Sequence, residues 1–455
     1  MAKGGNETGR NAGTRFRLFA QPPFLKPSRE PETVWVSSPA GSVGPGPADD
    51  RMYVVDPIGK RVAYGLAENL FGAAAYLLPP WPGPAFPPAL PDADGHFDHI
   101  AIESPEFEAA HLFGAVRRTL DVWEGYFGHP IEWHFARDLD RLELVLQRNL
   151  EENAFMGYGF LEVGIHRASN GDIHPFSLNF DVVAHEVGHC IVYAIVGIPD
   201  PEFANAEYYG FHESAADLTA LLASLHFDSV VDELLATSHG NLYTFNLLNR
   251  IAELTGNRQI RLAANPLSLL DFIEGWRDEH DLAQPLTGAV FDMLVDIFHE
   301  ELVERGLISA DAEDLSDLME DRPDYHRVVQ PIFDEAYTVS RDGFREALVS
   351  ARDTVGIYLA ETWRSLSPHH LGYDDIGRAL LAVDRMLTNG RYRRIIEVNL
   401  SRRAIGTARV GPRLSPPAWD SHFDLPRVFE PAMRESCCGR RLSYRERFEM
   451  MRGKQ

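Results

Sequence analysis

Apolar positions recur at helical spacing in two stretches of the first half of the chain. Phe113, Val116, Leu120, Trp123 and Phe127 step by three and four residues, which gives one apolar face to a helix. Ser104-Pro105 opens that helix and Gly128-His129-Pro130 ends it. Residues 177–197 are more apolar still, with Phe180, Val182, Val183, Val187, Ile191, Ala194 and Ile195, and predict a buried helix. Ser177 or Asn179 can cap its start, Gly197 can close its end, and Pro199 prevents it continuing. Leu142 to Gln147 reads as a strand leading into Asn153-Ala154-Phe155-Met156-Gly157. Arg51 to Tyr64 alternates around a Pro-Ile-Gly turn and predicts a small hairpin. Beyond Gly197 the pattern is helical almost throughout, over about 212–226, 229–236, 242–255, 267–275, 287–305, 325–349, 351–363 and 374–389. No sustained period-two alternation is found there, so no second sheet is expected.

The rest of the chain lacks period. Residues 1–50 are rich in Gly, Pro, Ser and Arg and read as a disordered arm. Pro79 to Pro91 holds seven prolines and reads as an extended linker. Residues 409–455 read as a basic tail, partly disordered. With 455 residues, 45% of them hydrophobic, the chain is long enough for two lobes that share a large core. The formal net charge of −24 argues against nucleic acid as a partner, because phosphate binding needs a basic surface. Three cysteines, Cys190, Cys437 and Cys438, do not make a disulfide framework. No stretch reaches transmembrane length, so no membrane partner is expected, and the first ten residues lack the apolar run of a secretory signal. On these grounds the chain is expected in the cytoplasm.

The apolar helix over 177–197 carries His185-Glu186-Val187-Gly188-His189. Two histidines four apart lie one turn apart on one helix face, where two imidazoles can share one zinc ion. Glu186 then lies beside the metal's open position. A buried helix needs a reason to accept these polar side chains. The bland alternative is two ordinary histidines on an amphipathic helix. A catalytic zinc usually has three protein ligands, and Glu213 on the next predicted helix can supply the third. Asp217, four residues on and on the same face, can accept the second N–H of a ligand histidine and fix its tautomer. Asp181, one turn before His185, also falls on the metal-facing side.

His185-Glu186-x-x-His189 followed by Glu213-x-x-x-Asp217 resembles the gluzincin metallopeptidases, and its neighbourhood resembles the thermolysin family. Phe180-Asp181-Val182-Val183-Ala184-His185-Glu186 is similar to that family's Ile-Asp-Val-Val-x-His-Glu segment. Asn153-Ala154-Phe155 is similar to its Asn-Ala-Phe edge segment, and Arg261 with Pro266 resembles its carbonyl-binding arginine. Thr287-Gly288-Ala289 resembles its Ser-Gly-Ile helix start, and Asp374 to Leu387 with Arg402 to Gly406 its closing helix. The resemblance covers about 100–408 and is specific around 153–217. In place of the histidine that the family sets before its Ser-Gly-Ile helix, the chain offers His280 or Gln284, of which His280 is favoured. Tyr208 and Tyr209 are the candidates for the family's assisting tyrosine. Asp181 matches a calcium ligand of the family, but Ser224 stands where its acidic partner is expected, which counts against a structural calcium.

The resemblance implies an α+β, two-lobed zincin fold. Residues 51–197 would form a mixed lobe with a small sheet and the His-Glu helix, and residues 198–408 an all-α lobe. It implies zinc-dependent hydrolysis of internal peptide bonds, with His185, His189 and Glu213 as ligands and Glu186 activating water as general base. Arg261 and His280 would stabilise the oxyanion, and Asn153 and Ala154 would align a peptide or protein substrate as an added strand. An aminopeptidase is the alternative among enzymes, but no separate acidic anchor for a free amino terminus is visible. A zinc-binding gluzincin that is latent or only binds is the alternative outside catalysis.

Overall fold

The computed structural model describes residues 13–25, 30–68, 74–151, 153–168, 170–242, 250–255, 258–273, 275–276, 279–319, 322 and 324–406. Two antiparallel strands come first, β1 (Gly13–Leu18) and β2 (Glu32–Pro39), then β3 (Met52–Val55) and the short pair β4 (Gly65–Glu68) and β5 (Ala74–Leu77). The long helix α1 (Pro105–Phe127) leads to β6 (Leu142–Glu151), β7 (Ala154–Gly157), β8 (Phe160–Arg167) and β9 (Ile173–Pro175). From there the chain is mainly helical. α2 (Phe180–Ile195), α3 (Ala206–Ser224) and α4 (Asp228–Ser238) precede a hairpin, β10 (Arg250–Thr255) and β11 (Arg258–Leu262). α5 (Glu279–Glu304), α6 (Ala310–Met319), α7 (Tyr325–Val339), α8 (Arg341–Ser365), α9 (Tyr373–Thr388) and α10 (Arg393–Arg402) complete it. The architecture is α+β, a small sheet region followed by a helical second half, as the sequence led us to expect.

One mixed sheet organises the first half, in the order β3-β6-β8-β7, with β9 paired to β8. β3 and β8 run parallel to β6, and β7 runs antiparallel to β8 at the edge. Side chains alternate across it. Leu142, Leu144, Leu146, Ala154, Met156, Leu161 and Val163 enter the main core, beneath α1 and α2. Glu143, Val145, Phe155, Phe160 and Glu162 point the other way. That outer face is covered by segment 60–64 and by Trp81. Its polar groups close on one another. Glu143 accepts from Tyr53 Oη (2.5 Å), Tyr64 Oη (2.6 Å) and the Trp81 backbone N–H (3.0 Å). Lys60 Nζ meets Glu162 at 2.7 Å and lies 3.8 Å from the Tyr64 ring centroid, and the Tyr64 backbone N–H donates to Glu162 at 2.8 Å.

Helix α1 forms as its apolar period predicts. Pro105 sits in its first turn, and Gly128 ends it in the left-handed region (φ 73°), where a Cβ is unfavourable. Its buried face joins the two halves. Phe113 packs on Phe16 of β1, with ring centroids 5.5 Å apart, and Trp123 stacks on Trp363 of α8 at 4.5 Å.

Several expectations are corrected. Residues 13–25 and 30–50 are not a disordered arm: Phe16, Leu18, Val34 and Val36 on β1 and β2 bury against α1. Their period-two pattern is too short to stand out among the surrounding Gly and Pro. The hairpin over 51–64 is not formed. β3 pairs in parallel with β6, ninety residues on, and short alternation does not name its partner. A sheet does exist beyond Gly197. Residues 250–255, read as the end of a helix, form β10 paired with β11. The helix expected over 287–305 starts at Glu279 and passes through Pro285. Carbonyls in that turn find outside donors. Tyr373 Oη donates to Leu282 O, and Asn265 Nδ2 to Gln284 O at 3.0 Å. The helix expected over 325–349 breaks at Ser340, and its second part continues to Ser365. α6 and α10 were not anticipated. Residues 243–249 and 407–455, with Cys437 and Cys438, lie outside the described residues. No described helix is long and apolar enough to cross a membrane.

Candidate metal centre

Asn179 caps α2 by accepting the Val182 N–H at 3.3 Å, while Ser177 donates instead to Glu108 at 2.9 Å. Asn205 caps α3 in the same way, through Tyr208 N–H at 2.7 Å. The two helices cross at close range. A Cβ at Gly188 would lie 2.6 Å from Ala216 Cα and 3.0 Å from Thr219, a separation no side chain tolerates. This contact brings the face of α3 that carries Glu213 up to the two histidines of α2.

His185, His189 and Glu213 are buried, and their donor atoms lie within 4.8 Å of one another. Both Nε2 atoms face the carboxylate: His185 Nε2 is 3.5 Å from Glu213 Oε2 and His189 Nε2 is 3.8 Å from Oε1. The edge of a tetrahedron with ~2.1 Å bonds is about 3.4 Å, so the spacing suits one small ion. Two imidazoles and a carboxylate, buried together, are a donor set that zinc takes. The group therefore fits a metal. Burial alone would raise the Glu213 carboxyl. The charges of His280 and His189 and the hydrogen bond from His185 outweigh it and hold the group well below the usual carboxylate range.

Each histidine is backed on its other nitrogen. His185 Nδ1 lies 3.0 Å from Asp217 Oδ1. His189 Nδ1 lies 3.0 Å from His212 Nδ1, a contact the sequence reading missed. Burial pushes the His212 pKa down to about 4. Glu186 is fully buried, and its Oε2 accepts the Met156 N–H of β7 at 3.0 Å. That bond also orients the strand. Met156 and Ala154 aim their backbone groups away from β8, whereas Asn153 O accepts Gly164 N–H from β8 at 3.0 Å. The Asn153 carbonyl is thus committed to the sheet, and its side chain is buried.

The other candidates divide. His280, in the first turn of α5, places Nε2 3.2 Å from Glu213 Oε2. Gln284 lies one turn further along the same helix. Arg261 falls on β11 opposite Ile251, and its side chain lies outside the described ones. β10 of that hairpin lies against α2 and α3. Asp181 is not in the ligand group; its Oδ1 accepts from Ser224 Oγ at 2.7 Å. Tyr208 is committed elsewhere, donating to Gly197 O at 2.7 Å, and its ring centroid is 5.4 Å from that of Tyr209. Cys190 is fully buried, and its thiol pKa is raised by that burial. His212 directly precedes Glu213 in the chain, and nothing in its spacing marks it.

No family model matches this sequence, and no curated protein matches it. Among solved structures the chain is similar to the precursor of protealysin, a metalloproteinase from Serratia proteamaculans. The likeness spans 71% of this chain and 91% of that one, at 13% identity and a TM-score of 0.35. A likeness that weak has no bearing on function, which is read below from the geometry alone.

Proposed function

We propose that this chain is a zinc-dependent peptidase that cleaves internal peptide bonds. The observation that carries the reading is the convergence of His185 Nε2, His189 Nε2 and the Glu213 carboxylate beside the buried carboxylate of Glu186. These three residues would hold the ion. A zinc ion supplies Lewis acidity there, polarising a carbonyl oxygen and bringing the pKa of a water toward neutrality. Glu186, fixed by the Met156 N–H, takes the proton from the attacking water and later returns it to the leaving amine. His280, beside Glu213, and Arg261, on the neighbouring hairpin, donate to the oxyanion that develops on the scissile carbonyl. The outward backbone groups of Ala154 on an edge strand, with the Met156 N–H already held by Glu186, suit an extended peptide, which would lie as one more strand near Asn153.

The test is cleavage of an unfolded protein substrate by zinc-loaded wild type beside Glu186→Gln. The variant is expected to bind zinc as wild type does and to lose about 100-fold or more of the rate. Cleavage by the variant at the wild-type rate would remove Glu186 from the reaction. Zinc binding without turnover by wild type would replace the peptidase with a binding protein.

A further inference from the structure

We propose that His212 is the positioning residue of His189, fixing the tautomer and ring orientation with which His189 presents Nε2 to the metal. The proposal rests on the metal centre described above. A neutral imidazole carries one proton. If His189 Nε2 offers its lone pair toward Glu213 and an ion, the proton sits on Nδ1. His212 Nδ1, 3.0 Å away, must then accept, and the His212 proton sits on Nε2. Among the described groups nothing hydrogen-bonds to that Nε2. The contacts to His189, at its Nδ1 and at its backbone, are therefore the polar interactions that orient the buried ring.

Packing holds the ring in place for that contact. The His212 ring lies nearly parallel to His189, with centroids 4.6 Å apart and planes at 11°. Tyr193 covers it at 4.4 Å and Tyr208 lies at 5.9 Å. Tyr208 is itself pinned by its hydroxyl to Gly197 O at 2.7 Å. One turn of α3 thus delivers both a ligand, Glu213, and the support of another ligand, His212. The two histidines of the centre are unequally supported, His185 by a carboxylate and His189 by a second imidazole.

Substitutions at 212 separate an acceptor from a filler. The side-chain oxygen of Asn stands as many bonds from Cβ as Nδ1 does, while that of Gln stands where Nε2 does. Zinc affinity is to be measured on the full chain by competition with a chromophoric chelator, for wild type, His212→Asn, His212→Gln and His212→Leu. The melting temperature of each metal-free protein is to be recorded beside it. The Leu and Gln variants are expected to lose about 10- to 100-fold in affinity, and the Asn variant to stay within about 3-fold of wild type. A role in packing alone follows the ring, so the Asn variant would then fall with the Leu variant, and that outcome overturns the proposal. Wild-type affinity in the Leu variant overturns it equally. A wild-type chain that takes no zinc overturns the metal centre itself, which separates that failure from a loss confined to the variants.

Discussion

Two clusters of buried ionisable groups flank the same small sheet and differ in how their lone pairs are used. On the outer face, Glu143 and Glu162 accept from Tyr53 of β3 and from Tyr64, Trp81 and Lys60 of the segments that cover the sheet. On the side of α2, the Nε2 atoms of His185 and His189 and the carboxylate of Glu213 all turn toward one point, with Asp217 and His212 set behind them. Burial is equally deep in both. The first cluster is complete once the chain has folded. The second brings two imidazoles and a carboxylate to one point, a donor set that could take a cation. Depth of burial does not separate a structural polar cluster from a binding one; the direction of the lone pairs does.

The comparison is tested most severely at Lys60. Lys60→Met leaves Glu162 buried and unpaired, and is expected to lower unfolding free energy by about 3–5 kcal/mol in urea denaturation, with zinc affinity unchanged. Reduced zinc affinity in a folded variant would show that the two clusters are coupled through the sheet. The converse change is Glu213→Gln. It should weaken zinc binding by about 100-fold or more in chelator competition, and it also removes the carboxylate that the neighbouring histidines hold ionised in the metal-free protein. Zinc affinity that stayed at the wild-type value would place Glu213 outside the metal centre.

The smallest effect belongs to a group in neither cluster. His111 is fully buried, accepts the Phe19 N–H at 2.9 Å, and is held down to a pKa of about 4 by burial. Its folded pKa lies below the value near 6.5 of an unfolded histidine. The unfolded state therefore binds more protons between those values, and stability falls as pH drops from about 6.5 toward 4. His111→Gln should flatten that fall by up to ~1.4 kcal/mol per pH unit, read from urea midpoints across the range. An unchanged slope would mean that the imidazole is not kept neutral in the fold.

What was legible in the chain was what one helix fixes by itself. The spacing of His185 to His189 and of Glu213 to Asp217 sets each pair on one face whatever surrounds it, and Pro105 in the first turn of α1 and the caps at Gly128 and Asn179 act within a turn. What could not be read depends on distant partners. β3 has no pattern that names β6, and β1 and β10 are too short to declare themselves without β2 and β11. The proline in α5 looked like a boundary because the donors that serve its turn, Asn265 and Tyr373, are remote in sequence. At the site the same division holds. The ligand residues could be proposed from spacing, whereas the Met156 N–H on Glu186 and the His212 ring behind His189 are visible only once strand and helices have packed.

Gly188 gives the pentapeptide a meaning beyond its named letters. Between the two histidines sits a residue whose contribution is an absent atom, and that absence lets α2 approach the Ala216 backbone and the Thr219 side chain of α3. The bore of the candidate site, the gap that one ion would fill, is thereby set by how closely two cylinders approach as well as by the lengths of the side chains that line it. A chain could keep all three donors and lose the ion through one added methyl group. It could also be re-gauged for a larger ion by spacing the helices apart without touching a donor.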